Sequence, residues 1–182
     1  MSGPTDSPEW NTNLHAPWRI PYIRSLAGRQ KGCFLCRARD DTDADEANFV
    51  LWRTDRCLVI MNRFPYTGGH LLIAPADHVA TLDDLSPGVR LEMMDLANDC
   101  VKVLADAVGA EGFNVGLNLG RCAGAGLPDH IHLHVVPRWS GDTNFLAALG
   151  DIRVVHQAMG ELRRELLEAG ERLGLPEAPH DR

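Results

Sequence analysis

His130-Ile131-His132-Leu133-His134-Val135-Val136-Pro137-Arg138-Trp139 is the most strongly patterned stretch of this chain. Histidine recurs at every second position, and aliphatic residues fill the places between. A period of two predicts a β-strand with three imidazoles on one face and Ile131, Leu133 and Val135 on the other. Alternate strand residues rise about 6.8 Å, which sets the outer two histidines about 13 Å apart. One small metal ion does not readily take all three from a straight strand, whereas an extended polyphosphate can touch more than one. Just upstream, Gly116-Leu117-Asn118-Leu119-Gly120 and Gly124-Ala125-Gly126 form a glycine-rich run that can bring backbone N–H groups close to an anion. Three chemistries compete here: a half-buried strand with histidines on its wet face, a catalytic zinc on the His130/His132 pair, and a histidine nucleophile acting on a phosphate ester. Strict alternation beside a glycine-rich loop favours the last.

These residues carry a resemblance. The stretch resembles the histidine-triad (HIT) motif, His-φ-His-φ-His-φ-φ with φ apolar. Gly112-Phe113-Asn114-Val115-Gly116-Leu117-Asn118-Leu119-Gly120 and Val136-Pro137-Arg138-Trp139-Ser140-Gly141-Asp142-Thr143-Asn144-Phe145 are similar to the bacterial branch of that family that includes the diadenosine tetraphosphate (Ap4A) phosphorylases. An Ala16-Pro17-Trp18-Arg19 run near the start has a counterpart in the same branch, so the resemblance spans roughly residues 14 to 160.

The chain has 182 residues, 45% apolar and 24% charged, which suits one soluble domain with a sizeable core. No apolar run approaches the ~20 residues of a membrane span, and Met1-Ser2-Gly3-Pro4-Thr5-Asp6 lacks the regions of a signal peptide. Five cysteines, an odd number, argue against a disulfide framework and for a reducing, cytoplasmic setting. A net charge of −7 without a dense Lys/Arg cluster disfavours a nucleic-acid-binding face. A nucleotide substrate stays compatible with it, since a small site can hold phosphates with backbone N–H groups and a few side chains.

Residues 1–13 read as a mobile tail, 14–175 as one domain and 176–182 as a disordered end. Cys33-Phe34-Leu35-Cys36 offers half a zinc site or a redox pair, and its flanks, Arg29-Gln30-Lys31-Gly32 and an acidic linker from Asp40 to Glu46, favour zinc. There is no second Cys-x-x-Cys, so tetrahedral zinc would draw two histidines from elsewhere. The resemblance names them as His78 and His130. Such a zinc is structural, because four protein ligands leave no open position. Asn48–Thr54 and Cys57–Asn62 read as strands across a tight Asp55-Arg56 turn, and His70–Pro75 as a third. Ser86 as N-cap with Pro87 behind it opens a helix, its core stripe Val89, Met93, Leu96, Cys100, Leu104 and Ala107, stopped by Gly109. Phe113–Leu119 and His130–Pro137 are the fourth and fifth strands. Ile152–Val155 follows, then an amphipathic helix from about His156 to Leu173 with Leu162, Leu166 and Leu173 inward. Cys57 and Cys100 read as packing residues, while Cys122, in the glycine loop, is either packing or reactive. The expected fold is α+β and HIT-like: about five antiparallel strands, a long helix packed across them, and a C-terminal helix.

Cleaving a nucleoside polyphosphate needs a nucleophile, neutralisation of phosphoryl charge, and help for the leaving group. Neutral imidazole is a competent nucleophile near pH 7, and a covalent phosphoramidate divides one hard displacement into two easier ones. His132, central on the strand, is the expected nucleophile. The resemblance implies that its other ring nitrogen donates to a backbone carbonyl of the same strand. It also implies that Asn62 holds the ribose, that His70 supports the triad from behind, and that the protein is a homodimer. His134 is expected on the phosphates or leaving group, Asn118 on the α-phosphate, and backbone N–H groups near Gly124 and Gly126 on the transition state. Many relatives place Gln, Ser or Thr in the loop ahead of the triad. Ala125-Gly126-Leu127-Pro128 has none, so that help falls to the backbone, His134 or a divalent ion such as Mg. Water as acceptor makes a hydrolase; inorganic phosphate makes a phosphorylase. Phosphoramidate hydrolysis, a slow nucleotide-binding module and a zinc hydrolase are the alternatives.

Overall fold

The structure, a computed structural model, describes residues 32–142 and 157–176. The expected N-terminal tail (residues 1–13), all but the first residue of the expected C-terminal tail (176–182), the Ala16-Pro17-Trp18-Arg19 run and Ile152–Val155 lie outside the described residues. Five strands form one antiparallel sheet in the order β1-β2-β3-β5-β4. They are β1 (Val50–Arg53), β2 (Cys57–Met61), β3 (Leu71–Pro75), β4 (Gly112–Leu117) and β5 (Leu133–Arg138). The α+β architecture is therefore the one the patterning predicts.

Turn chemistry sets the β1–β2 register. The Thr54 N–H donates to the Cys57 carbonyl at 2.9 Å, and the Thr54 hydroxyl accepts the Cys57 N–H at 2.8 Å. Helix α1 (Phe34–Asp40) precedes the sheet, and a single turn, α2 (Asp45–Asn48), replaces the expected first residue of β1. The long helix α3 (Pro87–Val108) begins as its sequence dictates: the Ser86 hydroxyl accepts the Val89 N–H at 3.3 Å, with Pro87 in the first turn. Gly109, at φ 60°, ends it in the left-handed conformation that glycine adopts without a Cβ penalty.

The two faces of the sheet carry different loads. Cys57, Val59, Met61, Leu71, Ile73, Leu133 and Val135 pack against Met93, Leu96, Cys100, Val103 and Leu104 of α3 and against α4 (Met159–Leu173). On the opposite face Val50, Leu58, Ile60, Leu72 and Ala74 are sealed by Leu35 and Ala38 of α1. Helix α4 differs from expectation. Leu162 and Leu166 are buried, but Leu173 is 43% exposed, and Ala169 and Gly170 take the inner place. Gly170 lies so close to the Trp52 ring that an added Cβ would come to 3.0 Å from it, whereas Leu173 is the last residue of the helix, just before Gly174 turns the chain at φ 65°. An Arg164–Glu168 pair lines the wet side, as the sequence suggests.

One cross-strand row fixes the site. Val50 pairs with Ile60, Ile60 with Leu72, Leu72 with His134, and His134 with Gly116. Directly opposed residues share a face, so this row runs over all five strands. Its first three members lie in the apolar layer under α1, and its last two open the chemical site.

Candidate active site and metal centre

The three histidines do not all sit on a strand. β5 begins at Leu133, so His132 lies just ahead of it and His130 in a bend further upstream. The cause is local. The Ile131 N–H donates to the Val79 carbonyl at 2.7 Å, outside the sheet ladder. All three side chains are nevertheless buried, at 1%, 8% and 8% exposure. The His132 and His134 ring centroids are 4.9 Å apart, shorter than a strand repeat, because the rings tilt toward one another.

His130 turns away from the other two. Its Nε2 lies 3.0 Å from the Pro75 carbonyl oxygen, to which it donates, and its Nδ1 faces Cys33 Sγ at 3.1 Å and Cys36 Sγ at 3.6 Å. His78 Nδ1 stands 3.2 Å from Cys36 Sγ. The four donor atoms of Cys33, Cys36, His78 and His130 all fall within 4.8 Å of one another. A tetrahedral zinc with its usual bond lengths needs donor separations of about 3.3–3.8 Å, so a small contraction satisfies the set. Donation of the far His130 nitrogen to a backbone carbonyl is how metal-bound imidazoles are commonly oriented. Burial, then the neighbouring Cys33, push the Cys36 thiol up from its ordinary value, and a bound cation would draw it into the thiolate form. The donor set fits zinc, with ligands from the start of α1, the turn after β3 and the approach to β5.

His132 points its Nδ1 at the His130 carbonyl oxygen, 2.8 Å away. A carbonyl only accepts, so Nδ1 carries the proton and Nε2 presents a lone pair. Burial lowers the His132 pKa, opposed in part by that same hydrogen bond. The imidazole is thereby kept neutral.

His134 lies between two partners. Its Nδ1 is 2.9 Å from His70 Nε2, and its Nε2 is 3.3 Å from Asn118 Nδ2. Burial, with His132 adding to it, pushes its pKa down to about 4. The Tyr66 ring stacks on the His134 ring at 5.9 Å and 15°, a contact the sequence reading missed. Its only sequence signal is an aromatic inside the Asn62-to-His70 loop. Gly69 makes the close entry to His70 possible: at φ 84°, an added Cβ there would meet Leu104 at 3.0 Å and Pro137 at 3.2 Å.

Of the other expected site residues, Asn62 closes β2 and reaches His70, its Nδ2 3.2 Å from His70 Nδ1. Asn118 follows β4 and meets His134. Gly124, at φ 88°, caps a short 3-10 turn (Arg121–Ala123), with its N–H given to the Arg121 carbonyl at 3.1 Å. Gly126 lies in the same loop with open space around it. Cys57 and Cys100 are buried, as read from the sequence, and burial pushes the Cys57 thiol up to about 12. Cys122 is exposed.

A five-stranded antiparallel sheet that brings alternating histidines together beside a glycine-rich loop defines a histidine-triad protein. The chain belongs to the HIT family, whose HIT domain model matches residues 44–141. It is 39% identical to the AP-4-A phosphorylase of Mycobacterium tuberculosis over 158 residues, 84% of this chain and 81% of that protein. It is 30% identical over 93 residues to the asymmetrical bis(5'-nucleosyl)-tetraphosphatase of Schizosaccharomyces pombe, 51% of this chain and 50% of that one. Among solved structures, a Zn-bound histidine triad family protein from Mycobacterium smegmatis superposes with a TM-score of 0.65 at 28% identity, covering 79% of this chain and 96% of that one.

Proposed function

We propose that the protein is an enzyme that cleaves dinucleoside polyphosphates at the α-phosphorus through a nucleotidyl-His132 intermediate, with inorganic phosphate as the favoured acceptor. The observation that carries this is the 2.8 Å contact between His132 Nδ1 and the His130 carbonyl, which leaves a buried, neutral Nε2 lone pair. Nε2 attacks phosphorus, a P–N bond forms, and the P–O bond to the departing phosphate chain breaks. The acceptor oxygen then attacks the same phosphorus and releases His132. Asn118 and His134 hold the phosphoryl oxygens, and Asn62 holds the ribose; the N–H groups of Ala123, Gly124 and Ala125 are given to carbonyls within the loop, so the backbone contact to the developing charge falls to Gly126. The 39% identity to a phosphorylase named for AP-4-A favours phosphate over water.

Cys33, Cys36, His78 and His130 would hold a zinc ion as a structural clamp. A catalytic metal on His130 and His132 has no support, because His132 stands outside the four-donor cluster. A second copy is expected to meet this one through the sheets or the long helices; β4, one of the two edge strands, leaves Val115 42% exposed. Among the described residues no helix is long and apolar enough to cross a membrane.

Product analysis on Ap4A, with and without inorganic phosphate, tests this reading. Phosphate-dependent ADP plus ATP is the expected result. AMP plus ATP without phosphate would make the protein a hydrolase. Absence of product would direct attention to phosphoramidates or to a binding module.

A further inference from the structure

Two donors converge on Nδ1 of His70. The Tyr66 backbone N–H donates to it at 3.1 Å, and the Asn62 side-chain amide donates at 3.2 Å. The Asn62 amide is oriented independently, because its Oδ1 accepts the Phe64 N–H at 2.9 Å. With Nδ1 an acceptor, the proton of neutral His70 sits on Nε2. That nitrogen faces His134 Nδ1 at 2.9 Å, so His70 donates and His134 accepts. The remaining His134 proton must then lie on Nε2, the nitrogen that faces Asn118. Two N–H groups cannot share a hydrogen bond, and the N and O ends of an amide are told apart only by their partners, so the end of Asn118 that lies 3.3 Å from His134 Nε2 is assigned as its oxygen.

Resting on the phosphoryl-transfer reading above, we propose that His134 is a fixed, neutral N–H donor to the phosphoryl group, its proton placed on Nε2 by Asn62 and the Tyr66 amide acting through His70. His70 and Asn62 are positioning residues in this scheme. A proton shuttle is the rival role for His134. Taking up a second proton would put an N–H at Nδ1, directly against the His70 N–H, and break the chain. Among the described residues, the groups facing the His134 ring are His132 at 4.9 Å, His70 at 5.1 Å, Tyr66 at 5.9 Å and Asn118. None is a carboxylate that would stabilise an imidazolium, and the depressed His134 pKa agrees with that. Asn62 thereby links nucleoside recognition to the donor that meets the phosphate.

Long-range proton–nitrogen NMR on the full chain labelled with ¹⁵N-histidine, without substrate, reads these protons directly. Between about pH 6 and 8, a range spanning the ordinary histidine pKa, His70 and His134 should both show the Nε2–H pattern without change. An Nδ1–H pattern at His134, or an imidazolium titrating in that range, would overturn the proposal. The nucleophile reading would stand, since no turnover is measured. Variants give a second test. His70→Gln keeps a donor near the Nε2 position, whereas His70→Leu has none. His70→Leu should lower kcat for Ap4A roughly 10- to 100-fold with KM little changed, and His70→Gln should recover most of the loss. Equal losses in the two variants would assign His70 to packing and sink the scheme. If His70→Leu does not fold, the wild-type spectrum decides alone.

Discussion

His132 and His134 stand two residues apart, yet different partners set their ring nitrogens: a main-chain oxygen for one and another imidazole for the other. His132→Ala should therefore cut turnover by several orders of magnitude while leaving nucleotide binding measurable by calorimetry. Near wild-type rates in that variant would remove His132 as nucleophile. His134 makes a pH prediction. Its folded value of about 4 lies below the ordinary histidine value of about 6.5, so the fold favours the neutral ring. The stability this contributes is complete above about pH 6.5 and is lost as pH falls toward about 4, where the unfolded chain takes up the proton first. Denaturant titrations across that window should show a steeper decline for wild type than for His134→Asn. At this scale the sequence was legible where spacing carries chemistry, in the alternating histidines and the Cys33/Cys36 pair, while Asn62 and His70 were singled out only by the resemblance to the family. Tyr66 was not, because its stacking on His134 depends on the path of a loop that no periodicity describes.

Elements were legible where local rules act without competition. Ser86, Pro87 and Gly109 bound α3 where capping chemistry puts them. Ser86→Ala should cost about 1 kcal/mol, a fall in Tm of roughly 2–4 °C by calorimetry, with activity unchanged. No change in Tm would mean that the Val89 N–H finds another acceptor. Local rules failed where tertiary contacts intervene. Period two extends the fifth strand back to His130, but the Val79 carbonyl takes the Ile131 N–H and β5 starts later. That outcome rests on a partner far away in sequence. Leucine spacing turns Leu173 inward, but it is the last residue of α4, before Gly174 turns the chain, and it stays exposed.

Across the whole molecule, the Cys33, Cys36, His78 and His130 donors tie together three segments distant in sequence. Cys33→Ser with Cys36→Ser should abolish stoichiometric zinc in the purified protein and lower Tm by several degrees. Unchanged metal content and stability would dismiss the site. The five-strand order follows from register, which the alternation on each strand constrains but does not determine. The row from Val50 to Gly116 is thus a product of folding and could not be read from any one segment. His130 joins this assembly twice, through its ring and through its carbonyl. Substitution erases the ring but leaves the carbonyl in place. A library of point variants would score position 130 by what is lost among the sulfurs, and would stay blind to the main-chain oxygen that aims its neighbour. The second task is written in the course of the chain, where genetics alone has no handle.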